Sequence, residues 1–174
     1  MRNHEWGDLH ELVVTAATAL FSSAGLVVHY AGIVPHHQAR WGEMVSIIGL
    51  GGTKLRGTLV LSMPTTLLRR SHPVGGTEHA DLADWLSEQA NLLLGRIKAR
   101  LSMHDIVVEL STPICLAASE FNLVRFGSTP FVHQFTVGGE PVAVGFESVA
   151  QEGAEFRMPA RVDAVVDAGE IVMF

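Results

Sequence analysis

Residues 84–101, DWLSEQANLLLGRIKARL, decide how we interpret the fold, because their apolar side chains recur at helical spacing. At about 100° per residue, one side of this helix carries an apolar stripe within an arc of about 80°. The stripe consists of Leu86, Ala90, Leu93, Ile97 and Leu101. Such a stripe is typical of a helix that packs on a sheet, so we expect a helix from about His79 to Ser102 that covers one.

The opposite side of the same helix is polar. It carries a polar strip within an arc of about 60°, nearly half a turn from the apolar stripe. The polar strip consists of Asp84, Glu88, Asn91 and Gly95. Glu88 and Asn91 are neighbours at i and i+3 and should point outward together. From the spacing alone, a solvated helix face is the simpler interpretation. A glycine within a helix costs about 1 kcal/mol relative to alanine, so Gly95 suggests the close approach of another backbone.

The charges of this helix are graded along its length. Acidic residues come early and basic residues come late: Asp81, Asp84 and Glu88, then Arg96, Lys98 and Arg100. This order stabilises a helix through its macrodipole. The grading therefore requires no function.

The segments before this helix predict one more long helix and a hairpin. Apolar residues recur at helical spacing over Asp8–Ser23, and Gly25 follows as a natural stop. Strands are predicted over Leu26–Val34, Trp41–Leu50 and Leu55–Met63. A short glycine-bearing connection joins the last two, which indicates a hairpin. A short helical turn is predicted over Pro64–Arg70.

The segments after the helix predict a run of strands, several of them broken by Gly or Pro. They cover Ile106–Leu110, Ile114–Ala118, Phe121–Phe126, Phe131–Val137 and Val142–Phe146. The tail from Pro159 to Phe174 stays open between a short helix and an edge strand. The order of elements predicts an α+β fold, in which an antiparallel sheet packs with two main helices. We expect one domain over residues 1–174, with the tail from about residue 150 unassigned.

The composition excludes several classes of function. The 174 residues carry a net charge of −6, with 48% hydrophobic and 17% charged residues, which suits one compact domain. A sequence pI of about 5.8 argues against binding the phosphate backbone of nucleic acid. The first eight residues, MRNHEWGD, are polar, and no run of about 18 apolar residues occurs. We therefore expect a soluble, cytoplasmic protein that does not enter a membrane.

Two residue types invite a nucleophile or a metal site, and we favour neither. Cys115 lies in an apolar run, where a free cysteine is usually a small buried hydrophobe. The nine histidines include the adjacent pair His36 and His37, but neighbouring strand residues point to opposite faces. No His-x-x-x-His helix or Cys-His cluster occurs, so we expect no metal site in this chain.

The polar strip and its flanks resemble a known family. The pattern Asp84-x-x-x-Glu88-x-x-Asn91 is followed by Gly95 and, after 21 further residues counted from Asn91, by Pro113. This pattern resembles the active-site signature of the CheC, CheX and FliY chemotaxis phosphatases. The string EQANLLLGRIKARL is similar to the CheX version of that helix, and residues 46–64 are similar to the hairpin that precedes it. The resemblance extends from the first helix to about Phe146.

The resemblance implies hydrolysis of the aspartyl phosphate on a response-regulator receiver domain. Asn91 would orient the attacking water, because a carboxamide both accepts and donates hydrogen bonds. Glu88 would dock on a lysine of the receiver. Gly95 would let the receiver approach, Pro113 would shape the start of the strand behind the helix, and Asp84 would be a further partner-binding residue. Any Mg²⁺ would belong to the receiver, so we expect no cofactor held by this chain itself.

One departure from the family pattern limits the number of sites. CheC-type members carry a second Glu-x-x-Asn on the first helix, whereas the comparable positions here read Glu11-Leu12-Val13-Val14. Valine supplies no amide, so the resemblance implies one site per chain, as in CheX, and a homodimer formed through the sheets. Two alternatives to an enzyme stay open. One is a module that binds a receiver without hydrolysing its phosphate, and the other is a structural subunit related to flagellar switch proteins.

Overall fold

The computed structural model describes residues 4–76, 78–117 and 131–150. Two predicted segments, the strand over Phe121–Phe126 and the tail from Pro159, lie outside the described residues. The helices of the described part are α1 (His4–Ser23), α2 (Thr65–Ser71) and α3 (His79–Ser102). Its strands are β1 (Val28–Pro35), β2 (Met44–Gly51), β3 (Leu55–Met63), β4 (Glu109–Leu110), β5 (Ile114–Ala117), β6 (Phe131–Val137) and β7 (Glu140–Ala150).

The strands pair into one antiparallel sheet. Its order is β1-β6-β7-β3-β2-β4, and β5 also pairs with β2. Because β3 pairs along the whole of β2, β4 and β5 share the opposite edge of that strand. The hairpin of β2 and β3 pairs Met44 with Met63 and Gly51 with Arg56, as the short connection predicts. The predicted α+β fold with an antiparallel sheet is therefore confirmed.

The two long helices bury their apolar sides against the sheet and against each other. The five residues of the apolar stripe of α3 are each 0% exposed, as predicted. The apolar residues of α1 are buried as well: Leu9, Leu12, Val13, Ala16, Ala17, Leu20 and Phe21. Each large apolar side chain removed from water contributes roughly 1.5–3 kcal/mol. This burial fixes which side of α3 faces outward.

The predicted strand over Ile106–Leu110 is wrong for most of its length. Only Glu109–Leu110 pairs, as β4. The chain after α3 stays hydrogen-bonded to the helix, because the Ile106 N–H donates to the Leu101 carbonyl over 3.1 Å. Asp105 adopts a φ of 56°, in the left-handed region that ends many helices. The backbone of this segment closes the helix and does not extend the sheet.

The bounds of three strands also differ from prediction. The strand expected over Leu26–Val34 extends over Val28–Pro35, because Val28 pairs with Val137 and Pro35 with Phe131 of β6. The strand expected from Trp41 begins at Met44. The Gly42 N–H donates to the side-chain hydroxyl of Ser62 over 2.7 Å, so it does not pair with the backbone of a neighbouring strand. The strand expected over Val142–Phe146 extends over Glu140–Ala150, since its far end continues to pair with β3. These differences arise from tertiary contacts that the local pattern does not contain.

Candidate active site

The polar strip lies on the outward side of α3. Asp84, Glu88 and Asn91 are exposed, and Gly95 is half-buried. Within the described part of the chain, neither the Glu88 carboxylate nor the Asn91 amide hydrogen-bonds to another group. Both groups are therefore available to a partner. The helical spacing predicts this placement, and the structure confirms it.

Gly95 leaves open space on this side of α3. A Cβ atom built at this position meets no other atom of the described residues within 4 Å, apart from its own chain neighbours and helix backbone. Internal packing thus does not require a glycine here, although a helix interior disfavours one by about 1 kcal/mol relative to alanine. The space above Gly95 is available for close approach by another molecule.

Contacts on both flanks fix the rotation of α3 about its axis. The Trp85 Nε1–H donates to the Ser71 hydroxyl over 3.1 Å, and its ring lies 5.6 Å from that of His72. Further along, Arg96 donates from Nη2 to the Ser23 hydroxyl at the end of α1, over 3.2 Å. Together with the buried stripe, these contacts hold the polar strip in one orientation, which suits a site that works by positioning.

Pro113 lies at the start of β5, where the sequence predicts it. Proline has no N–H, so the edge strand is interrupted between β4 and β5. Leu50 pairs with Leu110 and Ile47 with Ile114, so residues 111–113 stand opposite only two residues of β2. Ser111 bridges this bulge. Its N–H donates to the Gly49 carbonyl over 2.9 Å, and its hydroxyl accepts from the Gly49 N–H over 2.9 Å.

Cys115, on β5, lies close enough to Asp84 for the carboxylate charge to shift the pKa of its thiol. Burial raises the pKa of the Cys115 thiol, a backbone hydrogen bond from Leu116 lowers it, and the charge of Asp84 raises it further. A thiol with a raised pKa is a poor nucleophile at neutral pH. Cys115 packs against the core, as a small hydrophobe does.

Comparison with known proteins decides the family. The sequence profile described as "Chemotaxis phosphatase CheX" matches residues 44–136, which include the hairpin of β2 and β3, α3, β5 and most of β6. The chain belongs to the CheX family. No curated protein matches the sequence significantly.

Solved structures share the CheX fold. A chemotaxis protein CheX from Desulfovibrio desulfuricans has a TM-score of 0.70 at 17% identity, over 82% of this chain and 99% of that one. CheX from Vibrio vulnificus has a TM-score of 0.68 at 14% identity, over 79% of this chain and 96% of that one. The CheX chain of a CheX–CheY–BeF₃–Mg²⁺ complex from Borrelia burgdorferi has a TM-score of 0.65 at 15% identity, with coverages of 79% and 96%.

Glu11 and Val14 of α1 differ in their exposure. Glu11 is exposed on α1, whereas Val14 is half-buried and packs against the core. A side chain that faces the core is not presented to a partner.

His36 and His37 lie closer together than predicted. They fall in a 3-10 turn after β1, and their rings meet edge to face with centroids 5.6 Å apart. Strand alternation is therefore the wrong reason to separate them. Across the described residues there is no group of three or more His, Cys, Asp or Glu side chains arranged to hold a metal ion.

The described helices do not cross a membrane, since none of them is both long enough and apolar enough.

Sequence reasoning missed one buried polar cluster in the fold. His133, on β6, is 1% exposed, and its Nδ1 lies 3.1 Å from the Tyr30 hydroxyl on β1. Its other nitrogen, Nε2, lies 3.1 Å from Nδ1 of His10 on α1. The two histidines are 123 residues apart, so no local pattern could have linked them.

Proposed function

We propose that this CheX-family chain hydrolyses the aspartyl phosphate of a CheY-like receiver domain. The single observation that carries the proposal is the exposure of Glu88 and Asn91 side by side on a rigidly held helix. The CheX family is described as one of chemotaxis phosphatases, which supports the same reaction. The Borrelia burgdorferi CheX, of the same fold, forms a complex with CheY.

The reaction needs a water molecule held in line with the bond that breaks. The water oxygen bonds to phosphorus, the bond from phosphorus to the aspartyl oxygen breaks with its electrons going to the carboxylate, and inorganic phosphate leaves. The Asn91 carboxamide accepts a hydrogen bond from this water through Oδ1 and thereby orients it. Little further chemistry is required of the enzyme, because such transfers depend mainly on positioning and electrostatics.

Glu88 serves docking in this proposal. An ionised carboxylate placed against a phosphoryl group would repel it, so general-base work is the less attractive role. One turn from Asn91, the same carboxylate can pair with a lysine of the receiver and set the distance between Asn91 and the phosphate. Asp84 extends the acidic contact by a further turn, and the open space at Gly95 admits the receiver backbone.

The metal of the reaction belongs to the receiver. A divalent cation such as Mg²⁺ would neutralise charge on the phosphoryl oxygens, and we propose that the receiver's own carboxylates hold it. The complex from Borrelia burgdorferi contains Mg²⁺ together with CheY and BeF₃. The chain described here supplies the asparagine and the docking surface.

We further propose that the protein is a cytoplasmic homodimer. Receiver domains of two-component signalling act in the cytoplasm, and a phosphatase must meet its substrate there. Ile114 and Leu116, on edge strand β5, are 63% and 46% exposed in the single chain, which leaves apolar surface for a second copy to cover. Sedimentation of a monomer at micromolar concentration would contradict the dimer.

Phosphate release tests the enzymatic proposal. A receiver of the source organism, phosphorylated by a small phosphodonor in the presence of Mg²⁺, is followed with and without the protein. We expect the protein to accelerate phosphate loss at substoichiometric concentration. Binding of the receiver without acceleration would establish the non-catalytic module instead, and unchanged decay of every receiver would contradict the proposal.

A further inference from the structure

The outward side of α3 changes sign along its length. Its amino-terminal half carries Asp81, Asp84 and Glu88, all exposed. Beyond Asn91 and Gly95 the next charged residue on this side is Lys98. Seven helical residues turn through nearly two full turns, so Lys98 lies only about 20° around the helix from Asn91.

The other two cations of α3 point elsewhere. Arg96 lies about 140° around the helix from Asn91 and Arg100 about 180°. Arg96 is moreover engaged by the Ser23 hydroxyl of α1. Lys98 is therefore the one cation of α3 that shares the side of the polar strip.

Helix geometry brings the Lys98 ammonium toward Asn91. The two Cα atoms are separated by about 10 Å along the axis, and helical side chains lean toward the amino end. The lean directs Lys98 toward the turn that contains Gly95, and the space at Gly95 stays open, since a Cβ there would meet no other group within 4 Å. Lys98 is half-buried, and within the described residues it forms no ion pair or hydrogen bond.

The charge of the chain makes such a cation significant. A phosphorylated receiver site is anionic, whereas this chain has a net charge of −6 and an acidic half-helix beside Asn91. The field of the protein as a whole does not attract the substrate. A local positive charge next to the water-positioning residue would counter that repulsion at the reacting group.

We propose that Lys98 binds the phosphoryl group of the receiver, which lies between the Asn91 amide and the Lys98 ammonium, beside the receiver backbone that approaches Gly95. The inference rests on the proposed function and adds a residue to it. Lys98 donates hydrogen bonds to phosphoryl oxygens and forms no covalent bond. In the transition state the negative charge spreads over those oxygens, so a fixed ammonium stabilises it.

Two substitutions that change the charge of α3 by the same amount test this role. Lys98→Met and Arg100→Met each remove one positive charge from α3, on the strip side and on the opposite side respectively. We expect Lys98→Met to lower kcat/KM for the phosphorylated receiver by about tenfold, as for loss of one charged hydrogen bond. Lys98→Arg should retain most of the activity, and Arg100→Met should stay within about twofold of wild type.

A binding measurement separates a phosphoryl contact from a general one. Lys98→Met should weaken binding of the beryllofluoride-activated receiver and leave binding of the unphosphorylated receiver unchanged. Equal behaviour of Lys98→Met and Arg100→Met overturns the inference while the proposed function stands, and so does equal weakening toward both receiver forms. If wild type does not accelerate phosphate loss at all, the proposed function fails and this inference fails with it.

Discussion

The Nε2 atom of His133, on β6, lies 3.1 Å from the Nδ1 atom of His10, on α1. This contact joins the first helix to the sheet through two rings whose centroids are 5.1 Å apart. Burial, and to a smaller extent the charge of His10, lowers the pKa of His133 from 6.5 to about 4. Burial also lowers the pKa of His10. The folded protein therefore holds His133 neutral at neutral pH.

The first prediction concerns stability against acid. Between about pH 6.5 and pH 4 the unfolded chain binds a proton at His133 that the folded chain excludes, so stability falls with falling pH. The loss should reach about 3 kcal/mol at pH 4 and stay constant above pH 6.5. Denaturant unfolding of wild type and His133→Gln across this range measures it. The variant should lose most of the slope, whereas His29→Gln, at an exposed histidine of β1, should keep it. An equal dependence of stability on pH in wild type and His133→Gln would show that His133 is not its cause.

The second prediction is that Gly95→Ala stabilises the protein and impairs its function. The added Cβ meets nothing within the described residues, so the gain should be about 1 kcal/mol of helix propensity. The same methyl group would occupy the space proposed for the receiver, and phosphate release should fall by about tenfold. Thermal unfolding and the release assay measure the two effects. Full activity in a stabilised variant would show that the space at Gly95 is not used.

Gly52→Ala is the matched control for that substitution. A Cβ at Gly52 would clash with the Val107 carbonyl oxygen, so the same exchange should destabilise the protein there. A gain of stability in Gly95→Ala and a loss in Gly52→Ala would show that packing within the chain requires a glycine at position 52 but not at position 95.

The third prediction compares adjacent leucines of α3. Leu93 is 0% exposed, and Leu92 is 46% exposed. Leu93→Ala should lower the free energy of unfolding by roughly 2–5 kcal/mol, and Leu92→Ala should change it by about 0.5 kcal/mol or less. Denaturant unfolding of both variants checks the orientation of the helix. Comparable losses of stability at both positions would contradict this orientation of α3, and with it the outward placement of the polar strip.

Much of the fold follows from local pattern. The period of α3 predicts its bounds, His79–Ser102, and the side that it buries. The predicted bounds of β3 and β6 also agree with the structure, because turn residues mark their ends. The polar strip is predictable for the same reason, since helix geometry alone brings Glu88 and Asn91 together.

The remainder depends on contacts between distant segments. Ile106 reads as a strand residue, yet its N–H bonds back to Leu101 and closes α3. The hydrogen bonds that join His133 with His10 and with Tyr30 span 123 and 103 residues, so spacing carries no signal of them. In the sequence, Lys98 stands out only as part of a charge gradient. Its proposed role beside Asn91 depends also on the open space at Gly95, which only the structure shows.

In the proposed mechanism Asn91 orients the attacking water, while Glu88 provides docking. The most direct test measures turnover and receiver binding together for Asn91→Ala and Glu88→Ala, with folding checked by thermal unfolding. Asn91→Ala should lower kcat by about 100-fold or more and leave Kd for the beryllofluoride-activated receiver within about threefold, whereas Glu88→Ala should mainly weaken binding. Full phosphatase activity in Asn91→Ala would contradict the account.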